Sequence, residues 1–422
     1  MKIGLLGLGT VGQAIVSALG ANRQEITSLA GEEVEVARAL ILHPERHTRH
    51  ESLVTTRPED VLDDPEIGVV VEVMGGMEPA RTLIAKALSS GRSVVTANKE
   101  VMAAHGEELM RAAAAVNRDL LFEASVGAGV PVIRAIQLGL AGNSVDEVIG
   151  ILNGTSNFIL TAMEMEGLSY GEALERAREA GYAEADPAAD VTGLDAARKI
   201  AILGSIAFGT RLRPDAVSTS GIAGLSPADL AAAGRLGCVV KPLAQATWQS
   251  GRIGAWAGPA LVPKGHPLAT VDGIYNAVMV RSDPLGEAMF YGPGAGGPST
   301  ASAVVGDVIE AVRNLTLGVC SVAPLPYRDL PPLPAGEEEA SFYLRLVSRP
   351  GPDALSAVAL ALADRRIAVQ TLTSKEGEDR RAEIVVMTEP CRLGDLLDAA
   401  RTLERGPLVF GRSGPFPAIA GA

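Results

Sequence analysis

Met1-Lys2-Ile3-Gly4-Leu5-Leu6-Gly7-Leu8-Gly9-Thr10-Val11-Gly12-Gln13 is the stretch that decides the fold. A short apolar strand runs straight into Gly7-x-Gly9-x-x-Gly12, and Val11, Ala14, Ile15, Ala18 and Leu19 then recur at helical spacing. Each glycine has its own physical task. Gly7 permits the tight turn, Gly9 lets the backbone approach a pyrophosphate, and Gly12 lets helix and strand pack closely. The phosphates would lie on the free N–H groups at the positive end of the helix dipole. A glycine-rich turn alone is weak evidence, since such turns also serve purely structural ends. With strand, turn and helix in register, the stretch predicts a dinucleotide-binding βαβ unit.

Working outward, strand and helix patterns alternate through the first 130 residues, as right-handed βαβ units require. Strands are expected at 34–42, 69–73, 94–96 and 120–122, with helices at 79–89 and 100–116. The β-branched runs suit strands buried on both faces. From Val130 to about Val322 the pattern is less regular, with helices expected at 170–180 and 193–208 and strands at 145–152 and 277–280. Pro324, Pro326, Pro331, Pro332 and Pro334, followed by Glu337-Glu338-Glu339, read as a linker that packs neither as a helix nor as a central strand. Beyond it, strand 341–348, helix 354–364, strands 367–372 and 382–388 and helix 393–404 give a βαββα order, that of a small ferredoxin-like α+β unit.

Composition excludes several function classes. The 422 residues carry a net charge of −13 with no basic stripe, which argues against nucleic acid. No run approaches transmembrane length, so no membrane association is expected. Cys238, Cys320 and Cys391 are few and scattered, which fits a reducing compartment and neither a disulfide framework nor a zinc cluster. The opening on a strand leaves no room for a signal peptide, and a cytoplasmic location is expected. His43, His47 and His50 lie close together, but Pro44, Arg46 and Arg49 around them read as a charged loop, not a metal site.

Candidate chemistry concentrates in a few segments. Gly181-Tyr182-Ala183-Glu184-Ala185-Asp186-Pro187-Ala188-Ala189-Asp190 places three carboxylates in a Pro-marked loop, suited to holding an ammonium group. A helix follows in which Asp195 and Lys199 share one face. Such a pair is either a solvated ion pair, contributing ~0.3–0.5 kcal/mol, or a proton donor held by its carboxylate. Lys99, in Thr96-Ala97-Asn98-Lys99, follows a sheet strand at the edge where open α/β sheets bind ligands; it either orients a substrate or simply starts a helix. Glu123 to Pro131, with Gly127 and Gly129, is either a cation-binding turn of backbone carbonyls or an interdomain hinge. Asn153-Gly154-Thr155-Ser156-Asn157 either grips a polar ligand or caps the next helix. Gly292-Pro293-Gly294-Ala295-Gly296-Gly297 is either a second backbone surface against the cofactor or a surface loop.

Together GLGTVG, VVVEVMGG, TANKE, EASVGAGVPVI, GILNGTSNFIL, GYAEADPAADVTGLDAARKIAIL and GPGAGGPSTASAVVGDV closely resemble, in order, the signatures of monofunctional homoserine dehydrogenases, over almost the whole chain. The acid-rich segment before Lys199 is the most specific of them. The resemblance implies reversible hydride transfer between NAD or NADP and the pair L-homoserine and L-aspartate 4-semialdehyde, in threonine, methionine and isoleucine biosynthesis. It makes Lys199 the proton donor and Lys99 the second catalytic lysine. Glu184, Asp190, Asp195, Tyr182, Gly154 and Thr155 would bind substrate. Gly7, Gly9, Thr10, Val11, Gly12, Gly75, Thr96, Lys99 and Gly296 would bind the coenzyme. Glu123 with the carbonyls of Val126, Ala128 and Val130 would hold a structural sodium ion.

The implied fold is α/β throughout. It comprises a Rossmann-type doubly wound nucleotide domain (1–129, with helix 298–322 returning to it) and a mixed α/β catalytic and dimerisation domain (130–325). A linker (326–340) and an α+β ACT-like regulatory domain (341–422) complete it. A homodimer or homotetramer and a threonine effector are expected. Two departures stand out. Leu42 and His43 occupy the place of a basic–acidic pair after the second strand, so Arg46 and Arg49 would have to help choose between NAD and NADP. In the last domain Pro352-Asp353 follows Arg349-Pro350-Gly351 where an apolar pair is usual. Two other readings compete: a non-catalytic amino-acid sensor, against which the two lysines argue, and a dehydrogenase of another small substrate, against which the acid-rich loop argues.

Overall fold

In the computed structural model the described residues are 1–41, 52–249, 251–321, 328, 330–334, 336–377 and 381–419. Strands β1 (Lys2–Leu6), β2 (Glu35–Leu40), β3 (Val54–Thr55), β4 (Ile67–Glu72), β5 (Ser93–Thr96) and β6 (Leu120–Leu121) form one sheet in the order β3-β2-β1-β4-β5-β6, every pair parallel. Alternate side chains feed two cores. Ile3, Leu5, Val69, Val71 and Val95 point to one face; Leu6, Val70 and Val94 point to the other. The first face is covered by α1 (Thr10–Ala21), α2 (Arg23–Ala30) and a helix from much later in the chain. The second is covered by α3 (Glu59–Leu62), α4 (Ala80–Ser89) and α5 (Lys99–Ala115). Burial on both faces is why these strands read as unbroken apolar runs.

A 3₁₀ turn (Glu123–Ser125) and a π-helical turn (Ala135–Gly139) lead into a second sheet. Its first strand is β7 (Ser144–Ile151), followed by α6 (Gly154–Glu166), α7 (Tyr170–Glu179), α8 (Ala188–Val191) and α9 (Leu194–Phe208). Then come β8 (Ser218–Thr219), α10 (Pro227–Arg235) and the long hairpin β9 (Cys238–Gln249) and β10 (Arg252–Pro263), which the sequence reading did not anticipate. Strands β11 (Tyr275–Asp283) and β12 (Gly286–Pro293) end this part, and α11 (Gly297–Leu317) packs Val304, Val305, Val308 and Val312 against α1 on the nucleotide sheet. Ile200 and Leu203 of α9 pack with Val148, Val278 and Ala246 on one sheet face, while Ile149, Leu243 and Met279 face the other way.

The last part runs β13 (Glu339–Ser348), α12 (Pro352–Ala363), β14 (Val369–Glu376), β15 (Ala382–Thr388), β16 (Cys391–Arg392), α13 (Leu393–Glu404) and β17 (Val409–Ala418). Here the βαββα expectation is corrected. The tail with Gly411, Gly414, Pro415 and Pro417, which looks like a breaker, is a ten-residue strand paired antiparallel to β13, with register shifts that accommodate the prolines. Because β17 also meets β10 at Leu261–Ala418, the second sheet is continuous: β12-β11-β7-β9-β10-β17-β13-β15-β14. Arg345 of β13 clamps this unit to α10, with Nε 2.6 Å and Nη2 3.0 Å from the two oxygens of fully buried Asp229. In the stretch read as a linker, Arg328 and Pro332 make isolated parallel bridges to Thr210 and Ile253. Among the described residues no helix is long and apolar enough to cross a membrane.

Candidate active site

The dinucleotide turn is built by exclusion. Gly7 sits at φ +105°, and a Cβ there would lie 2.9 Å from the Val73 carbonyl oxygen. At Gly12 a Cβ would lie 2.5 Å from the Gly7 oxygen. A side chain at Gly7 would strike the exit of β4, and one at Gly12 would force helix and strand apart. Gly9, the N-cap of α1, has open space where its Cβ would be, and no side chain caps the helix, so its first-turn amides are available to an anion. These features fit a pyrophosphate. Thr10 is exposed beside this turn, and Gly297 of α11 lies against it.

The ends of β4, β5 and β7 and the start of α9 converge beside this turn on a cavity of about 740 Å³. Val11, Gly75, Lys99 and Gly296 line it on the nucleotide side; Gly154, Thr155, Tyr182, Asp190, Asp195 and Lys199 line the other. Strand β5 ends at Thr96, and Asn98 caps α5 by accepting the Val101 N–H at 3.1 Å, so Lys99 emerges at the rim. The N-cap of α9 is Gly193 at φ +86°, which aims the first turn and Asp195 inward.

Asp195 is the hub. Its Oδ2 lies 2.8 Å from Lys199 Nζ and its Oδ1 2.6 Å from Lys99 Nζ. Burial alone would raise this carboxyl, but the two ammonium groups overcome it and hold the group well below the usual carboxylate range. Lys199 Nζ also donates to the Leu152 carbonyl at 2.6 Å, which leaves one of its three N–H groups for a ligand. Asn153 Nδ2 bridges Asp190 (2.7 Å) and Asp195 (2.8 Å), and its Oδ1 accepts the Ser156 N–H at 2.8 Å, capping α6. Thr155 Oγ1 donates to the Tyr182 carbonyl at 2.7 Å, tying the acid-rich loop to the start of α6. The solvated-ion-pair alternative for Asp195 and Lys199 is therefore set aside: their side chains are only 4% and 10% exposed.

Two expected site residues fall elsewhere. Glu184 is exposed in its loop and does not line the cavity. Thr96 is fully buried, and its hydroxyl donates to Glu72 Oε2 at 2.6 Å instead of facing the cavity. Glu123 is buried, and both its carboxylate oxygens accept backbone amides, from Ile133 (2.8 Å) and Arg134 (2.7 Å). Burial pushes this carboxyl up, and those amides pull it partly back. Ala128 holds a left-handed φ of +49°, while Val130 accepts the Val132 amide. Among the described residues no cluster of three or more His, Cys, Asp or Glu is placed to hold a metal ion. Leu42, His43, Arg46, Arg49 and the rest of segment 42–51 lie outside the described residues. Glu72, by contrast, was not singled out from sequence, and Asn153 was read only as the head of a segment that grips a polar ligand or caps the next helix. An Asn directly after a strand looks like a cap, and only the fold shows that its amide also bridges two carboxylates.

Similarity to known proteins follows the same residues. A family model described as "Homoserine dehydrogenase" matches residues 131–309, and one described as "Homoserine dehydrogenase, NAD binding domain" matches 7–123. A homoserine dehydrogenase of Synechocystis is 41% identical over 416 residues, covering 94% of both chains. The crystal structure of a homoserine dehydrogenase from Thiobacillus denitrificans superposes with a TM-score of 0.94 at 38% identity, covering 99% of this chain and 98% of that one. A hyperthermophilic archaeal homoserine dehydrogenase solved in complex with NADPH matches at TM-score 0.65 and 28% identity, covering 77% of this chain and 99% of that one. The glycine turn and Lys99 lie in one matched range, and Asp195 and Lys199 in the other. This chain belongs to the homoserine dehydrogenase family.

Proposed function

We propose that the protein interconverts L-homoserine and L-aspartate 4-semialdehyde with NAD or NADP, and that Lys199 and Lys99 carry the protein's share of the chemistry. The observation behind this is one buried carboxylate, Asp195, holding both ammonium groups in a cavity bordered by the dinucleotide turn. When bound, the reduced nicotinamide supplies the hydride. Lys199, anchored by Asp195 and Leu152, gives a proton to the carbonyl oxygen of the semialdehyde and takes it back in the reverse direction. Lys99 offers a second positive charge where the alkoxide develops. Asp190, with Asn153 beside it, receives the substrate's ammonium group; Tyr182, Gly154 and Thr155 shape that end of the pocket.

Several finer assignments belong to the same reading. Gly7, Gly9, Thr10, Val11 and Gly12 would cradle the pyrophosphate, and Gly75 and Gly296 would also meet the coenzyme. A structural sodium ion would be held by Glu123 with the backbone carbonyls of Val126, Ala128 and Val130, in a turn where Ala128 has a left-handed φ of +49°. The protein works in the cytoplasm as a dimer or tetramer, and the 339–418 unit serves as an ACT-like sensor for threonine. The test is absorbance at the reduced-nicotinamide band with purified protein, L-homoserine, and NAD or NADP in parallel. Homoserine-dependent reduction is expected with at least one coenzyme. Threonine binding by folded protein without turnover would favour the sensor reading instead.

A further inference from the structure

Glu72 is a carboxylate with no part in the mechanism above, yet it is fully buried at the end of β4, between the cavity and the core. Among the described residues nothing cationic pairs with it. Its partners are neutral donors from two neighbouring strand exits. Just beyond its own strand, the Met74 amide donates to it at 2.8 Å. From the exit of β5, Thr96 Oγ1 donates at 2.6 Å and Asn98 Nδ2 at 3.5 Å. Thr96 Oγ1 in turn accepts the backbone N–H of Asn98 at 3.0 Å, and Asn98 Nδ2 reaches the Gly76 carbonyl at 2.7 Å. Asn98 caps α5, and the residue that follows is Lys99. Burial pushes the Glu72 carboxyl up, and the Thr96 hydroxyl and Met74 amide pull it partly back. Burying a carboxylate is costly unless its acceptors are satisfied, and here neutral donors satisfy them.

We propose that Glu72 is a positioning residue that acts through Lys99: by gathering the Thr96 hydroxyl and Asn98 amide it sets the first turn of α5, and so fixes the Lys99 ammonium at 2.6 Å from Asp195. The same carboxylate holds Met74–Gly76 against the cavity, so one buried group keeps the two strand exits in register. This rests on the activity assigned above only for its kinetic readout; the geometric part stands alone.

The test is a double-mutant cycle with Glu72→Gln and Lys99→Ala, together with a crystal structure of the Glu72→Gln protein. Glutamine keeps the shape but replaces one acceptor oxygen by a donor. The expected result is a tenfold or greater loss of kcat in Glu72→Gln alone and less than a twofold further loss in the Lys99→Ala background, where nothing is left to position. In the crystal, Lys99 Nζ should leave Asp195 while the six-stranded sheet is unchanged. Thr96→Val, which removes the linking hydroxyl at constant shape, serves should the glutamine variant fail to fold, and it should show the same pattern. Equal losses in both backgrounds, or Lys99 still seated on Asp195 in the variant crystal, would overturn the proposal. A wild-type protein without turnover but with Lys99 displaced in the variant would sink the activity and leave the positioning role standing.

Discussion

Gly7, Gly9 and Gly12 lie within six consecutive residues, whereas Lys99, Asn153, Asp190, Asp195 and Lys199 come together from the exits of two strands and from two later helices. The turn works through what it lacks: any Cβ at Gly12 would meet the Gly7 oxygen at 2.5 Å. The lysine site works through what it gathers, since each ammonium is useful only where Asp195 meets it. One region is thus a backbone device, local and cheap to encode, and the other is a tertiary device that exists only once two sheets stand side by side. The two should fail differently when altered.

The largest effect is expected from Lys199→Ala. Removing a positioned general acid costs about 10³-fold in kcat, with coenzyme affinity, measured by fluorescence titration, within twofold of wild type. Coenzyme binding lost in parallel would mean that the two regions are one unit and would dissolve the contrast. Gly12→Ala should do the reverse. Its methyl group strains the turn by about 1–3 kcal/mol, seen as a ten- to hundredfold weaker coenzyme affinity with kcat at saturating coenzyme little changed. A normal coenzyme Kd in that variant would show that the turn is scaffolding and not a phosphate cradle. The smallest effect is expected at the border of the substrate side. Thr155→Val removes the hydrogen bond to the Tyr182 carbonyl at 2.7 Å, an exposed contact worth about 0.5–1.5 kcal/mol. A few-fold rise in KM for homoserine with unchanged kcat would sharpen the comparison. A fall in kcat would instead place the acid-rich loop in the chemistry.

How much could be read from the chain alone varied with how local the cause was. The parallel sheet was legible because strands covered on both faces must be apolar throughout, as Val69-Val70-Val71 and Val94-Val95 are. The paired long strands β9 and β10 were not, because their alanines, glycines and prolines hide a two-residue period that only sheet pairing discloses. The tail strand β17 was missed for a related reason: its glycines and prolines weigh against a strand locally, and pairing with β13 overrides them. In the site, Asp195 and Lys199 were visible as helix-face neighbours. That Lys99 shares the same carboxylate was not visible, because nothing in their separate segments records that the exit of β5 faces the start of α9.

By itself the sequence determined the dinucleotide turn, the alternation of strands and helices through the nucleotide-binding part, and the segments in which chemistry resides. These depend on steric exclusion and side-chain periodicity, which act over a few residues. Only the tertiary structure decided which of those segments meet. It turned Thr96 away from the cavity towards Glu72 and left Glu184 outside. It also set two ammonium groups on one buried carboxylate, which overcome its desolvation and hold it ionised. Charge and burial act through space, and their outcome is settled by the packing of elements far apart in the chain.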